Sequence, residues 1–343
     1  MAISLDTATP APGWLRNRSF DLTFIVGFAV LALASGWAVV MNPALFAPIL
    51  IADLWLLGYH HVIATYTRLC FDGESFRQNK FLLLGLPVIV LAGVIALGFG
   101  VGFWTITSIY LYWQWFHYSR QSWGVSQVYR RKAEGLADDP EWPAKLSFYS
   151  VPVWGILYRS HQAPDTFLGI ELTVIPVPEV LVQIAGAAAL LGVTWWIVTR
   201  AVAWWNGRLP MAHTLYMTSH FIIFAVAYVW IEDITYGWLI VNIWHNAQYI
   251  TFVWLFNTNR FNGGVDPKAR FLSKISQADK SWTYFGLCFG LSTTIYLLLD
   301  NTVALLLPAI ILYQAINFHH YVVDGVIWKI RRKPLQRTLG IAQ

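Results

Sequence analysis

The sequence predicts an all-α fold: a polytopic transmembrane bundle of about ten helices with both termini cytoplasmic. Three observations predict it. Of the 343 residues, 57% are hydrophobic and only 12% charged, with a mean hydropathy of +0.51. A soluble domain averages about 25% charged residues, so this chain has too little charge to cover a water-facing surface. Apolar segments of about 20 residues, the length that crosses a hydrocarbon core, recur along the chain. The loops between them alternate between basic and neutral or acidic.

The expected spans are 20–41, 45–70, 81–102, 104–129, 145–160, 179–205, 211–231, 236–257, 283–299 and 303–328. Arg16 and Arg18 precede the first. Its apolar run continues to Val40, so it reads as a retained anchor rather than a cleaved signal peptide. The fifth segment is short and interrupted by Pro152, which gives it a re-entrant or partly interfacial alternative. Basic residues lie at Arg77 and Lys80, at Arg130 to Lys132, at Arg200 and Arg208, from Arg260 to Lys280, and from Lys329 to Arg337. The intervening loops, Asn42-Pro43, 98–102, 165–179, Glu232-Asp233 and Asp300, carry none. Arg159, at the outer end of the fifth segment, is the exception. This pattern divides the chain into a cytoplasmic segment 1–19, one transmembrane domain 20–330 and a basic cytoplasmic tail 331–343.

Composition also excludes some functions. The net charge of +5 resides in short loops, where orientation signals sit, so nucleic acid is not an expected partner. Two cysteines, Cys70 and Cys288, support neither a disulfide framework nor a thiolate metal cluster. Nineteen Trp and sixteen Tyr suit two membrane interfaces.

An ionisable side chain inside the bilayer is costly and usually functional. Seven of nine histidines fall well inside expected spans: His60, His61, His117, His220, His245, His319 and His320. Each lies roughly 8 to 12 positions from its cytoplasmic helix end, which at about 1.5 Å per residue places them in one slab. His213 and His161 read as solvated interface residues. Polar partners share the faces: Asp53 with His60 and His61; Tyr110, Gln114, His117 and Gln121; Asn242, His245 and Tyr249; Gln314, Asn317, His320 and Asp324. Such stripes avoid lipid and converge on one another or on a cavity.

Convergent imidazoles without thiolates suit non-haem iron, copper, zinc or haem. A carboxylate or carbonyl commonly holds the second ring nitrogen; Asp53, Gln121, Tyr249 and Asp324 are placed to orient ligands in this way. Within each doublet one histidine ligates and the other packs, because adjacent helical positions point about 100° apart. Arg120, inside the fourth span, reads as an interior ion-pair partner of Asp324 or Asp53, or as a grip for an anionic head group.

Residues 245–254, HNAQYITFVW, and 319–329, HHYVVDGVIWK with Asp324 five residues after His319, resemble the last two histidine motifs of the Brp/Blh family. These are bacterial membrane enzymes that cleave β-carotene to retinal. His61, three residues after Gly58, and His117 resemble the first two motifs. Together the four segments cover about 45 residues. The chain departs from the family's first motif in having His60 and Val62 beside His61, and from its second in lacking an Asp after His117. The resemblance implies one non-haem iron held by His61, His117, His245 and His319 in a bacterial cytoplasmic membrane; the histidine pattern itself adds His60, His220 and His320 as further possible ligands.

The leading expectation is therefore an iron-dependent membrane oxygenase, using O₂ on a carotenoid, isoprenoid or other lipid substrate, with no catalytic residue assigned. Alternatives are a di-iron desaturase or hydroxylase, though its HxxxH and HxxHH boxes are missing, a haem b electron-transfer subunit, and a metal-free transporter or accessory subunit.

Overall fold

The computed structural model describes residues 13–133 and 140–341. Most of the expected 1–19 segment, part of the 130–145 loop and the last two residues of the tail lie outside them.

Helices occupy each of the ten expected positions. They are α1 Arg18–Met41, α2 Pro43–Cys70, α4 Phe81–Gly100, α5 Phe103–Lys132 and α6 Glu141–Gln162, then α7 Glu179–Trp205, α8 Met211–Trp230, α9 Ile234–Arg260, α11 Ala278–Leu305 and α12 Ala309–Ile327. Short helices α3 Gly73–Gln78, α10 Arg270–Ile275 and α13 Lys333–Thr338 lie in the loops and tail. A two-residue hairpin, β1 Thr166–Phe167 with β2 Ile170–Glu171, interrupts the α6–α7 connection. Six helices among the described residues (α1, α2, α4, α7, α8 and α11) are long and apolar enough to cross a membrane. Their outward side chains include Phe81, Ile184, Leu190 and Leu191, all more than half exposed, as a lipid-facing surface requires.

The described residues form two compact units. The first combines 48–106 with 246–341, and the second combines 13–47 with 107–245.

In the first unit α12 packs on α4 and α2, and α11 packs on α2. The core joins Ala64, Tyr249, Ile250 and Val253, with Leu69, Val323 and Ile327 nearby. Arg68 lies between the Phe256 and Trp328 rings, 4.4 and 4.1 Å from their centroids, so its charge is met by π faces. Past the end of α2, Asp72 caps α3 through Glu74 N–H at 3.1 Å and accepts from Arg260 at 2.6 Å. Burial alone would raise the Asp72 pKa. The hydrogen bonds from Arg260 and Ser75, with the Arg260 charge, outweigh it and hold the carboxyl below its usual value of 3.8.

In the second unit α6 packs on α7 and α8, and α8 packs on α1. Small residues permit the close approaches. A Cβ on Gly155 would meet Tyr228 Cβ at 2.5 Å, and one on Gly36 would meet Ile240 at 2.2 Å. Asp21 is fully buried. It accepts from the Leu15 and Arg16 N–H groups at 2.9 and 3.0 Å and from Tyr129 Oη at 2.5 Å, which fixes the entry into α1.

Three details depart from the sequence reading. α6 runs unbroken through Pro152. Arg159, the exception to the charge alternation, is fully buried. Its guanidinium donates to the carbonyl of Ala227 in α8's last turn and to those of Ile231 and Glu232 just beyond it, so it caps the end of that helix. His213, read as solvated, is 1% exposed, because it faces inward from the first turn of α8.

Four helices each contain one π turn: Thr23–Gly27 in α1, Leu54–Gly58 in α2, Phe81–Gly85 in α4 and Val226–Trp230 in α8. A π turn holds one extra residue, and such turns gather at functional positions. In α2 the extra residue makes the eight-residue step from Asp53 to His61 behave as about seven, a repeat that returns to one face. On an unbroken α-helix His60, not His61, would share the face of Asp53.

Candidate metal centre

In the first unit, α2 and α12 bring His61 and His320 together with their Nε2 atoms 2.6 Å apart. Asp324, one turn beyond His320 on α12, places Oδ2 at 3.5 Å from His320 Nε2. These three residues are buried, and each offers a ligand atom within 4.8 Å of the others. Thr65, one turn beyond His61, faces His320 Nδ1 at 3.2 Å and donates to Asp324 Oδ1 at 3.2 Å. Tyr249, on α9, donates to Asp324 Oδ1 at 2.7 Å, lies 2.5 Å from Thr65 Oγ1, and accepts from Trp328 Nε1 at 2.9 Å. Its ring packs 4.1 Å from that of His61. The carboxylate and both imidazoles are thus oriented by neighbours that are themselves fixed.

The two remaining histidines of this unit do other things. His60 is buried edge-on against Phe285, and its Nε2 has no hydrogen-bond partner among the described residues. His319 is engaged at both nitrogens: Nε2 lies 2.6 Å from the Leu82 carbonyl, and Nδ1 hydrogen-bonds Tyr66 Oη. The Leu82 carbonyl has lost its helical partner for a readable reason. In the π turn, Leu86 N–H bonds Phe81 O. The next N–H, which would serve Leu82 O, belongs to position 87, and Pro87 has none. His319 donates in its place. The resemblance gives the ligand role to His319, whereas the structure turns its neighbour His320 toward His61.

In the second unit, His117 on α5 and His245 on α9 are both buried, with ring centroids 5.0 Å apart. Tyr118 packs 4.3 Å from His245. It belongs to a chain in which Gln114 donates to Tyr110 and Tyr118, and Tyr118 donates to Asn242 at 2.5 Å. Gln121 is half-buried, and its Oε1 finds no hydrogen-bond partner among the described residues. Arg120 is exposed and hydrogen-bonds Tyr149.

His220, also in the second unit, repeats the logic of His319. Pro152 offers no N–H to the Phe148 carbonyl four residues earlier. His220 Nε2 donates to that carbonyl at 3.1 Å, and its Nδ1 accepts from Ser122 at 3.0 Å. The ring stacks on Phe148 at 3.6 Å. His161 is exposed at the end of α6, with Nδ1 3.0 Å from Val177 O.

Sequence reading passed over Thr65, Tyr66 and Tyr118. Thr65 was marked by its position one turn from His61. Tyr66 and Tyr118 carry no signal beyond lying beside residues already singled out.

No family model, curated protein or solved structure matches the chain. The resemblance to the carotene-cleaving enzymes therefore rests on its motif residues.

Proposed function

We propose that this protein is a membrane-embedded oxidoreductase that holds non-haem iron and acts on a hydrophobic substrate such as a carotenoid, isoprenoid or lipid. One observation carries the reading: His61, His320 and Asp324 converge in a buried cluster with their supporting hydrogen bonds in place. Two imidazoles and one carboxylate form the donor set that suits non-haem ferrous iron and leaves other coordination positions open. Metal–nitrogen bonds of about 2.0–2.1 Å are compatible with donors this close after small side-chain adjustments. The absence of sulfur donors from the cluster argues against an iron–sulfur centre. His117 and His245, which the resemblance includes in the ligand set, are a further donor pair.

Iron, when bound, would supply the O₂ chemistry. The residues of this chain set the conditions for it. Thr65 faces His320 Nδ1 and holds that ring, Tyr249 and Thr65 hold Asp324, and the apolar shell of Ala64, Ile250 and Val253 keeps water out. A site within the bilayer receives substrate and O₂ from lipid, where both concentrate.

In this reading the ten helices all span a bacterial cytoplasmic membrane with both termini inside. The four helices of lower hydropathy, α5, α6, α9 and α12, cross with their polar side chains turned away from lipid. The carbonyl-capping role of Arg159 removes the one exception to the charge alternation.

Elemental mass spectrometry and a visible spectrum on protein purified in mild detergent test the proposal. About one iron per chain with no Soret band is the expected result. Two irons would replace it with a di-iron enzyme, and a Soret band with a haem protein. Absence of metal after reconstitution with ferrous iron would leave a transporter or accessory subunit.

A further inference from the structure

A groove of about 400 Å³ opens in the first unit between α2, α11 and α12. Its size falls in the range of roughly 300–1,000 Å³ typical of small-molecule sites. Val62, Ile63, Leu291, Ile295, Leu299 and Ile316 form most of its wall. Tyr296 closes one side, its ring stacked on Tyr59 with centroids 3.6 Å apart. Both α2 and α11 are long and apolar enough to cross a membrane. What reaches a groove between two such helices comes from hydrocarbon, so its occupant is an apolar chain.

The polar groups in the wall define the end of that chain. Thr67 lines the groove, but its hydroxyl donates to Ala64 O at 2.8 Å. Tyr66 also lines it, and its Oη is hydrogen-bonded to His319 Nδ1. The direction of that bond follows from the Pro87 lesion. Leu82 O can only accept, so His319 Nε2 carries the hydrogen at 2.6 Å. A neutral imidazole has a single N–H, so Nδ1 is an acceptor and the Tyr66 proton points to it. With its proton committed to His319, Tyr66 Oη can only accept from a further partner.

We infer that the groove binds a long-chain alcohol, fatty or isoprenoid, whose hydroxyl donates to Tyr66 Oη. As the substrate class of the enzyme this rests on the proposed function; as a binding site it does not depend on metal. An ester or ether end accepts but cannot donate, and it would leave Tyr66 unsatisfied. The proline that breaks α4 thereby sets ligand preference through two side chains, His319 and Tyr66, without touching the ligand.

Cys70 gives the test, because it lines the groove and is exposed, whereas Cys288 is buried. Labelling of Cys70 by N-ethylmaleimide is followed by intact mass on purified full-length protein, with iron content measured on the same sample. Hexadecanol is expected to protect Cys70 about fivefold better than hexadecyl methyl ether at equal concentration, the yield of one hydrogen bond. Tyr66→Phe should equalise the two probes while keeping the protection the ether gives. His319→Leu, which frees the Tyr66 proton, should shift preference toward methyl palmitate. Ile295→Trp should abolish protection by every probe, with thermal unfolding confirming that the variant folds. Equal protection by hexadecanol and its ether in the unsubstituted protein would overturn the inference, and so would no protection by either. Iron loss with alcohol selectivity intact would overturn the iron reading and leave this one standing.

Discussion

His220 and His320 are the same residue type at the same depth of burial, yet their surroundings differ in kind. Around His220 every polar atom has a complement: one carbonyl accepts and one serine donates. The ring closes a gap left by a proline and then stacks on Phe148. Around His320 the neighbours are of another kind. Its Nε2 lies 2.6 Å from His61 Nε2 and 3.5 Å from an Asp324 oxygen. Three ligand-type atoms converge there, which is the geometry the proposed metal site rests on. His319 sits beside His320 in sequence and belongs with His220 in function. The comparison teaches that burial alone does not separate a proposed ligand from a prop, so the partners of each ring nitrogen have to be read one by one.

The strongest test of this contrast is metal retention. His61→Ala and His320→Ala should each reduce bound metal to background by elemental mass spectrometry, while His220→Ala and His319→Ala should retain it. Loss in His319→Ala equal to that in His320→Ala would restore the ligand set implied by the resemblance. His117→Ala and His245→Ala then decide whether the second unit's pair also ligates.

A smaller effect is expected at the carboxylate, where a substitution can remove charge and keep an oxygen in place. Asp324→Asn keeps the shape and the bonds from Tyr249 and Thr65 but removes the charge. It should weaken metal affinity by about 10–100-fold, measured by chelator competition. An unchanged affinity would reduce Asp324 to a structural hydrogen-bond acceptor.

The capping role of His220 is sharpened by a double-mutant cycle. His220→Phe leaves Phe148 O without its donor and should cost about 1 kcal/mol of thermal stability. Pro152→Ala supplies the missing N–H, so in that background the same substitution should cost much less. Additive losses would show that the ring matters for packing alone.

The least effect lies at the loop. Folding lowers the Asp72 pKa, so the Asp72–Arg260 pair adds stability that is fully present above the unfolded value near 3.8. That stability is lost as pH falls through the lower folded value. Thermal unfolding of the unsubstituted protein should drop more between pH 6 and pH 3 than that of Asp72→Asn. Parallel curves would show that the pair contributes nothing measurable.

The histidine positions, the helices and the partnership of Asp324 with His320 were legible in the sequence because each depends on local spacing. Which member of each doublet faces its partner was not. For His60 and His61 that choice turns on the π turn 54–58, where one residue more per turn changes the facing side chain, and no residue type in Leu54–Gly58 announces the change; for His319 and His320 it turns on contacts distant in sequence. The roles of His220 and His319 were readable in principle, since Pro152 and Pro87 stand at the spacing that orphans a carbonyl. Finding the histidine that answers each proline needed the fold. The burial of His213 and the capping by Arg159 likewise depend on contacts distant in sequence.

The π turn of α2 has a consequence for how this helix tolerates change in length. Deleting one residue between 54 and 58 would convert that turn to α-helix while the flanking segments, with Asp53 on one side and His61, Thr65 and Tyr66 on the other, keep their places. The same deletion four residues later would swing every side chain up to Cys70 by about 100° and dismantle the imidazole pair and the groove together. In α2, length can vary at one turn, and the chemistry begins immediately after it.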